Sequence, residues 1–286
     1  MREPHFRQAT ILGVGLIGAS LALALKKHSL SERIVGFGRR LNNLKRAKKR
    51  GIIDSFETDP VRAVIGSDLV VLSTPVGLFR ELTQKIAPYL KKGSLLIDVG
   101  SIKGLVYEIE PLLPEGVDFV GCHPIAGGDR SGIDTSSAEL FKGSLLIITK
   151  TESTPKGALR RVSSLWRALG SDVKTMSPEE HDRVYALVSH LPHLVAYALV
   201  NTISEVDESS IRFAGQGFRD TTRVAGSSPE IWRDIALMNR ENLIDFLGVF
   251  KSNIERLIDI LKDSDATALE KELSRAQALR ARLNKR

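Results

Sequence analysis

The first half of the chain alternates short apolar runs with longer stretches whose apolar positions recur every three or four residues. Six runs predict strands: Ala9–Leu12, Arg33–Phe37, Leu69–Leu72, Leu95–Asp98, Asp118–Gly121 and Leu145–Thr149. A seventh, near Asp172–Thr175, predicts a closing strand. Helical patterns such as Leu78–Leu90 fall between most of them, which argues for a parallel sheet wound by right-handed crossovers. From Ser177 the strand signals stop. Ser177-Pro178-Glu179-Glu180 reads as a helix start, with proline at the first helical position and acids in the first turn. Asn242 to Leu261 places Leu243, Phe246, Phe250, Ile254, Leu257 and Leu261 on one face, an amphipathic helix of about five turns. Thr267 to Leu283 repeats the pattern. The expected fold is α/β, with residues 1–176 a doubly wound parallel sheet and residues 177–286 an all-helical domain. The long apolar faces of the second domain predict a homodimer as well as a core.

The turn after the first predicted strand carries the first chemistry. Thr10 to Ser20 reads T-I-L-G-V-G-L-I-G-A-S, with Gly13, Gly15 and Gly18 between a strand and a helix-like segment. In this fingerprint Gly13 permits a sharp turn, Gly15 lets backbone approach a pyrophosphate, and Gly18 lets helix pack on strand. The helix amides at Leu16 and Ile17 then face negative charge. The first domain is therefore expected to be a Rossmann dinucleotide-binding domain. NAD-selective sites commonly end the second strand in a carboxylate that holds the ribose hydroxyls. Here Ile34-Val35-Gly36-Phe37 runs into Gly38-Arg39-Arg40, which supplies two guanidiniums for a phosphate and no carboxylate to repel it. NADP is the expected cofactor over NAD; an exposed basic turn is the alternative reading of Arg39 and Arg40.

Composition adds limits. A 286-residue chain that is 42% hydrophobic can bury two cores. Cys122 is the only cysteine, so no intrachain disulfide can form, and no charged-then-apolar leader pattern opens the chain. Both fit a reducing, cytoplasmic setting. Val184 to Ile203 is the most apolar long segment, but it contains His190, Pro192, His193 and Asn201, so it reads as a buried helix rather than a bilayer span. The net charge of +7 comes largely from seven basic residues in Arg39–Arg50 and five in Arg275–Arg286. No aromatic residues interleave with the basic run, so nucleic acid is a poor fit and an anionic small molecule a better one. No metal is expected.

Ligands of open α/β sheets bind beyond the carboxyl ends of the strands. Three polar clusters fall there: Ser73-Thr74-Pro75, Asp98-Val99-Gly100-Ser101-Ile102-Lys103, and Cys122-His123-Pro124-Ile125-Ala126-Gly127. A histidine at a strand exit, near neutrality in proton affinity, suits the removal of a hydroxyl proton as hydride leaves. The helical half adds His190-Leu191-Pro192-His193, then Gln216-Gly217-Phe218-Arg219-Asp220-Thr221-Thr222-Arg223, then Ile231-Trp232-Arg233.

Taken together and in this order, G-x-G-L-I-G-x-S, D-x-G-S-x-K, H-P-I-A-G, S-H-L-P-H and G-F-R-D-x-T-R resemble the prephenate/arogenate dehydrogenase family of tyrosine biosynthesis, over most of the chain. The resemblance implies oxidation of a ring carbinol by NAD(P) with loss of carbon dioxide as the ring becomes aromatic. It implies that His123 accepts the hydroxyl proton, that Ser101 assists, and that Arg223 anchors a substrate carboxylate. His193 is implied as a substrate-side contact, and Trp232 matches a tryptophan contributed across subunits in some members. Asp129 stands where prephenate-selective members often carry Glu, and neutral Gln216 lies in the loop thought to discriminate keto from amino side chains. His190 reads as a structural helix histidine, and Arg219 and Arg233 as surface ion-pair partners. The chain stops soon after its last helix, so the C-terminal regulatory domain of some relatives is not expected. A β-hydroxyacid dehydrogenase is the competing enzyme reading, but it requires a lysine that Val184–Ile203 lacks. An NADPH-binding sensor is the non-catalytic alternative, and it has no need of His123, Ser101, His193 and Arg223 together.

Overall fold

The computed structural model describes residues 4–127 and 132–285. The chain opens with β1 (Phe6–Leu12), α1 (Leu16–Lys27), β2 (Ser31–Phe37), α2 (Leu41–Lys49), β3 (Ser55–Glu57), α3 (Pro60–Val64) and β4 (Leu69–Leu72). It continues through α4 (Phe79–Ile86), β5 (Leu95–Asp98), α5 (Val106–Ile109), β6 (Asp118–Ile125), β7 (Leu145–Thr149), α6 (Lys156–Ala168) and β8 (Asp172–Met176). These strands form one sheet in the order β3-β2-β1-β4-β5-β6-β7-β8. Every pairing is parallel except β6 with β7. The expectation of a wholly parallel sheet is corrected there. A parallel return needs a crossover, usually a helix; between β6 and β7 the described residues hold only a one-turn 3-10 segment, Ile133–Thr135, so the chain doubles back.

Helices cover both faces. On one, α1, α2 and α6 bury Leu21, Leu25, Leu44, Val162 and Trp166 against Ile11, Val71 and Ile97 of the strands. On the other, α3, α4 and α5 bury Val64, Phe79, Leu82 and Ile109 against Leu12, Val70 and Leu96. Strand β3 was not foreseen, because it is only three residues long, with one apolar residue, Phe56, between two polar ones, and all three are only partly buried. The helix expected over Leu78–Leu90 divides, since Pro88, lacking an N–H, sits in a 3-10 turn at Ala87–Tyr89.

The remaining elements are helical: α7 (Pro178–Tyr185), a π turn at Ala186–His190, α8 (Leu191–Asp207), α9 (Gln216–Thr222), α10 (Pro229–Met238), α11 (Arg240–Lys262) and α12 (Ala266–Arg280). Ser177 caps α7 by accepting from the Glu180 amide at 3.1 Å. The expectation that Val184–Ile203 is buried does not hold within one chain. Only Ala196 of α8 is buried, and Val188 is 61% exposed. By length and composition the run from Pro178 to Phe213 could cross a membrane, yet its first turns bond to the sheet domain. Residue Ile235 of α10 completes the second core of the sheet domain, with Trp232 packed beside it. The loop after β4 and α10 approach so closely that a Cβ at Gly77 would lie 2.4 Å from Asp234 Oδ2.

Candidate active site

The glycine loop is built as its residue types require. Gly13 has φ +109°, and an added Cβ would lie 2.5 Å from the Ser73 carbonyl oxygen. A Cβ on Gly18 would fall 2.2 Å from the Gly13 carbonyl oxygen, so α1 can pack on β1 only with glycine there. Gly15 faces open space, and no side chain caps the amides that open α1 at Leu16 and Ile17. These free amides and the open backbone face fit a pyrophosphate. Gly13, Val14 and Gly15 line a cleft of about 500 Å3 that is also walled by Phe37, Arg39, Arg40, Ser73, Thr74 and Pro75. Phe37 ends β2, and Arg39 and Arg40 are exposed where that strand gives way to α2. Part of the neighbouring basic run is already neutralised: Arg46 and Arg50 both bond Asp134.

The sequence pattern ends the sixth strand at Gly121, but β6 runs to Ile125, so His123 lies within the sheet, opposite Ile147 of β7. Its imidazole Nδ1 is 2.8 Å from Nε2 of His181, and His181 Nδ1 is 2.8 Å from Asp182 Oδ1. Tyr185 packs on both rings, with centroids 4.7 and 4.5 Å away. Asp182 also accepts the amides of Lys103 and Gly104, each at 2.8 Å. A carboxylate from α7 is thereby clamped to the loop that follows β5. Burial pushes the proton affinity of His123 well below the ordinary value of 6.5, and the neighbouring His181 and Lys103 push the same way. Burial also lowers that of His181, against the opposing pull of Asp182. Two neutral rings therefore meet at the sheet's carboxyl edge.

Beneath them lies a fully buried ion pair. The Lys103 ammonium bonds the Asp98 carboxylate, which also accepts the amides of Gly100 at 2.8 Å and Cys122 at 3.1 Å. Both side chains are at most 3% exposed. Burial raises the proton affinity of Asp98, and Lys103 opposes it. The Cys122 thiol is buried and pushed upward by desolvation and by Asp98, so it stays protonated and inert. Ser101 sits half-buried on the same loop, two residues before Lys103.

The helical domain contributes a second group. His193 stacks on Trp232 of its own chain, with centroids 3.6 Å apart and planes 21° from parallel, and its Nδ1 meets the Ser189 carbonyl oxygen at 2.8 Å. Arg223, at the end of α9, is exposed and close enough to lower the proton affinity of His193, after the larger effect of burial. His190 is structural, as its place in the sequence suggests. Buried at the end of the π turn, its Nδ1 accepts from Asn239 Nδ2 at 3.2 Å, and Asn239 also bonds the Asp182 carbonyl. Burial pushes His190 down to about 4. Gln216 is not drawn into this group; its amide bonds Asp220 at 2.7 Å and faces solvent. Arg233 is an exposed partner of Asp234. Asp129 lies outside the described residues.

Sequence reading missed His181, Asp182, Tyr185 and Asn239. A signal was present: Pro178, His181, Asp182 and Tyr185 form the buried stripe of α7, and a histidine and an acid on a buried stripe need partners.

Residues 21–175 match the family model described as the prephenate dehydrogenase nucleotide-binding domain. Residues 177–275 match the one described as the prephenate dehydrogenase dimerization domain. The chain belongs to the prephenate dehydrogenase family. It is 33% identical to the cyclohexadienyl dehydrogenase of Zymomonas mobilis, over 97% of this chain and 96% of that protein. It is 35% identical to the prephenate dehydrogenase of Bacillus subtilis, over 91% of this chain and 71% of that one. The structure of Aquifex aeolicus prephenate dehydrogenase, solved with hydroxyphenyl propionate and NAD+, superposes with a TM-score of 0.92 at 35% identity, covering 99% of this chain and 100% of that one. The family places a dehydrogenase's nucleotide-binding domain on the sheet and a dimerization domain on the helices.

Proposed function

We propose that the chain is a prephenate or arogenate dehydrogenase acting with NADP. The observation that carries the reading is His123: neutral, held by His181, and set at the carboxyl edge of the sheet that also bears the glycine loop. A bound nicotinamide supplies the hydride acceptor. His123 takes the proton of the ring hydroxyl, and the Ser101 hydroxyl assists at the same oxygen. Arg223 holds a substrate carboxylate in a forked bond, with His193 and Trp232 forming the wall beside it. Loss of carbon dioxide follows from aromatisation and needs no further acid.

Preference for NADP is supported by Arg39 and Arg40 lining the cleft where β2 ends without a carboxylate. NAD is the second reading, favoured by the Aquifex structure having been solved with NAD+. The active form is a homodimer. In one chain Val206, Phe213, Ile244, Leu261 and Leu273 are each more than half exposed, and a second copy covers them.

The test is formation of reduced nicotinamide with prephenate and arogenate, each against NADP and NAD, with release of carbon dioxide measured in parallel. Turnover with one dienyl acid and faster reduction of NADP are expected. No turnover in any of the four combinations overturns the reading.

A further inference from the structure

We propose that His181 and Asp182 form a proton relay behind His123, fixing its ring with hydrogen on Nδ1 and accepting that proton when Nε2 takes one from the substrate. The inference rests on His123 being the base of the reaction proposed above.

The hydrogen positions follow from a chain of contacts that starts at fixed donors. Backbone amides can only donate, and both oxygens of Asp182 accept one: Oδ1 from Lys103 and Oδ2 from Gly104. A carboxylate so engaged is an acceptor, so the His181 Nδ1 at 2.8 Å carries the hydrogen between them. A neutral imidazole with hydrogen on Nδ1 presents a lone pair at Nε2. That lone pair faces His123 Nδ1 at 2.8 Å, so His123 donates in turn. Its own lone pair is left at Nε2, the only acceptor on the ring. Each partner dictates the next tautomer. Tyr185, packed on both rings, restricts their rotation.

The same row can move a proton. As the substrate O–H bond breaks, its proton joins His123 Nε2 and its electron pair forms the carbonyl while hydride leaves the carbinol carbon. The Nδ1–H bond of His123 then breaks, and that proton joins Nε2 of His181. His123 returns to neutrality with hydrogen on Nε2, and the positive charge rests on His181 against the Asp182 carboxylate. The transfer places the cation against the Asp182 carboxylate, a partner that His123 lacks and that opposes the effects of burial and Lys103 on His181. Reverse transfer to solvent through His123 after product release resets the pair. His181 and Asp182 are thus positioning and relay residues, and only His123 touches substrate.

Nitrogen NMR of histidine-labelled wild-type protein tests the resting state without any substrate. Both rings are expected as the Nδ1–H tautomer, the minor form of free histidine; hydrogen on Nε2 of His123 overturns the proposal. His181→Gln tests the transfer, because its side-chain oxygen can still accept from His123 but cannot carry the proton onward. A fall in kcat of at least about tenfold is expected, with KM and cofactor affinity changed by less than about threefold. An unchanged kcat, or a loss confined to KM, overturns the relay. Should His181→Gln not fold, a proton inventory on the wild-type single turnover decides: a bowed dependence on deuterium content supports two protons in motion, and a straight line refutes it. If wild-type protein turns over neither prephenate nor arogenate, the functional reading fails while the NMR result still judges the tautomers.

Discussion

Lys103→Met isolates the buried ion pair on which the site rests. The substitution keeps the length of the stem and removes the ammonium, leaving the Asp98 carboxylate with the amides of Gly100 and Cys122 alone. Breaking one side of a buried pair costs about 3–5 kcal/mol. A ceiling also applies, because an abandoned carboxylate can escape by binding a proton. From the ordinary value of 3.8, that escape costs about 4.4 kcal/mol at pH 7 and only about 1.6 kcal/mol at pH 5. The sign follows from the burial of Asp98, which raises its affinity for protons in the folded state. Over this range the folded variant binds more protons than the unfolded chain, so its stability falls as pH rises. Denaturant unfolding followed by circular dichroism should therefore show Lys103→Met weaker than wild type by about 3–4 kcal/mol at pH 7. The gap should narrow by up to about 2.7 kcal/mol at pH 5. Adding Asp98→Asn should recover more than half of the loss at pH 7. A gap that stays constant between pH 5 and pH 7, or a double variant weaker than the single, would refute the assignment of the cost to a stranded carboxylate.

His123 must be neutral to accept a proton and burial lowers its affinity, so kcat/KM should hold as pH falls to 6.5 and decline only below it; an acid limb at or above 6.5 contradicts this. Arg223→Ala should raise KM by roughly thirty- to several-thousand-fold, corresponding to about 2–5 kcal/mol for one partner of a desolvated charge pair, with cofactor affinity unchanged by titration calorimetry. Damage to cofactor binding instead would remove Arg223 from the substrate side. Arg39→Ala should weaken NADP far more than NAD and leave the substrate KM alone; equal losses for both cofactors would favour the exposed-turn reading. Sedimentation should find a dimer at micromolar concentration, and a stable monomer would contradict the proposed role of the apolar faces of α8, α11 and α12.

Much of the sheet was legible because its strands are buried on both faces and therefore read as continuous apolar runs, as in Leu69–Leu72 and Leu95–Asp98. The glycine loop was legible for a different reason: steric demand at Gly13 and Gly18 admits one residue type, so the letters carry the geometry. Periodicity fails where structure depends on distant partners. The extension of β6 through Pro124 depends on its antiparallel neighbour β7, which the alternation of elements did not reveal. His181 and Asp182 take their meaning from His123 and Lys103, 58 and 79 positions away, and no local pattern reports such a pairing. Trp232 shows the same limit. The family resemblance matches it to a tryptophan contributed across subunits in some members, whereas the fold stacks it on His193 of its own chain.

The bond from the Asp182 carboxylate to the amides of Lys103 and Gly104 has a consequence for assembly. A nascent chain released only as far as Met176 already contains every strand of the sheet and every residue of the glycine cleft. Its His123 would face no His181, and the loop after β5 would lack its clamp. The site is completed only as the helical half docks, α7 bringing His181 and Asp182 and the later helices bringing His193, Arg223 and Trp232, rather than accumulating strand by strand. For protein engineering the seam is equally restrictive. A chimera that joins this sheet to a foreign helical half must bring a matching histidine and acid to one spot beside Lys103, or it will bind cofactor and do nothing with it.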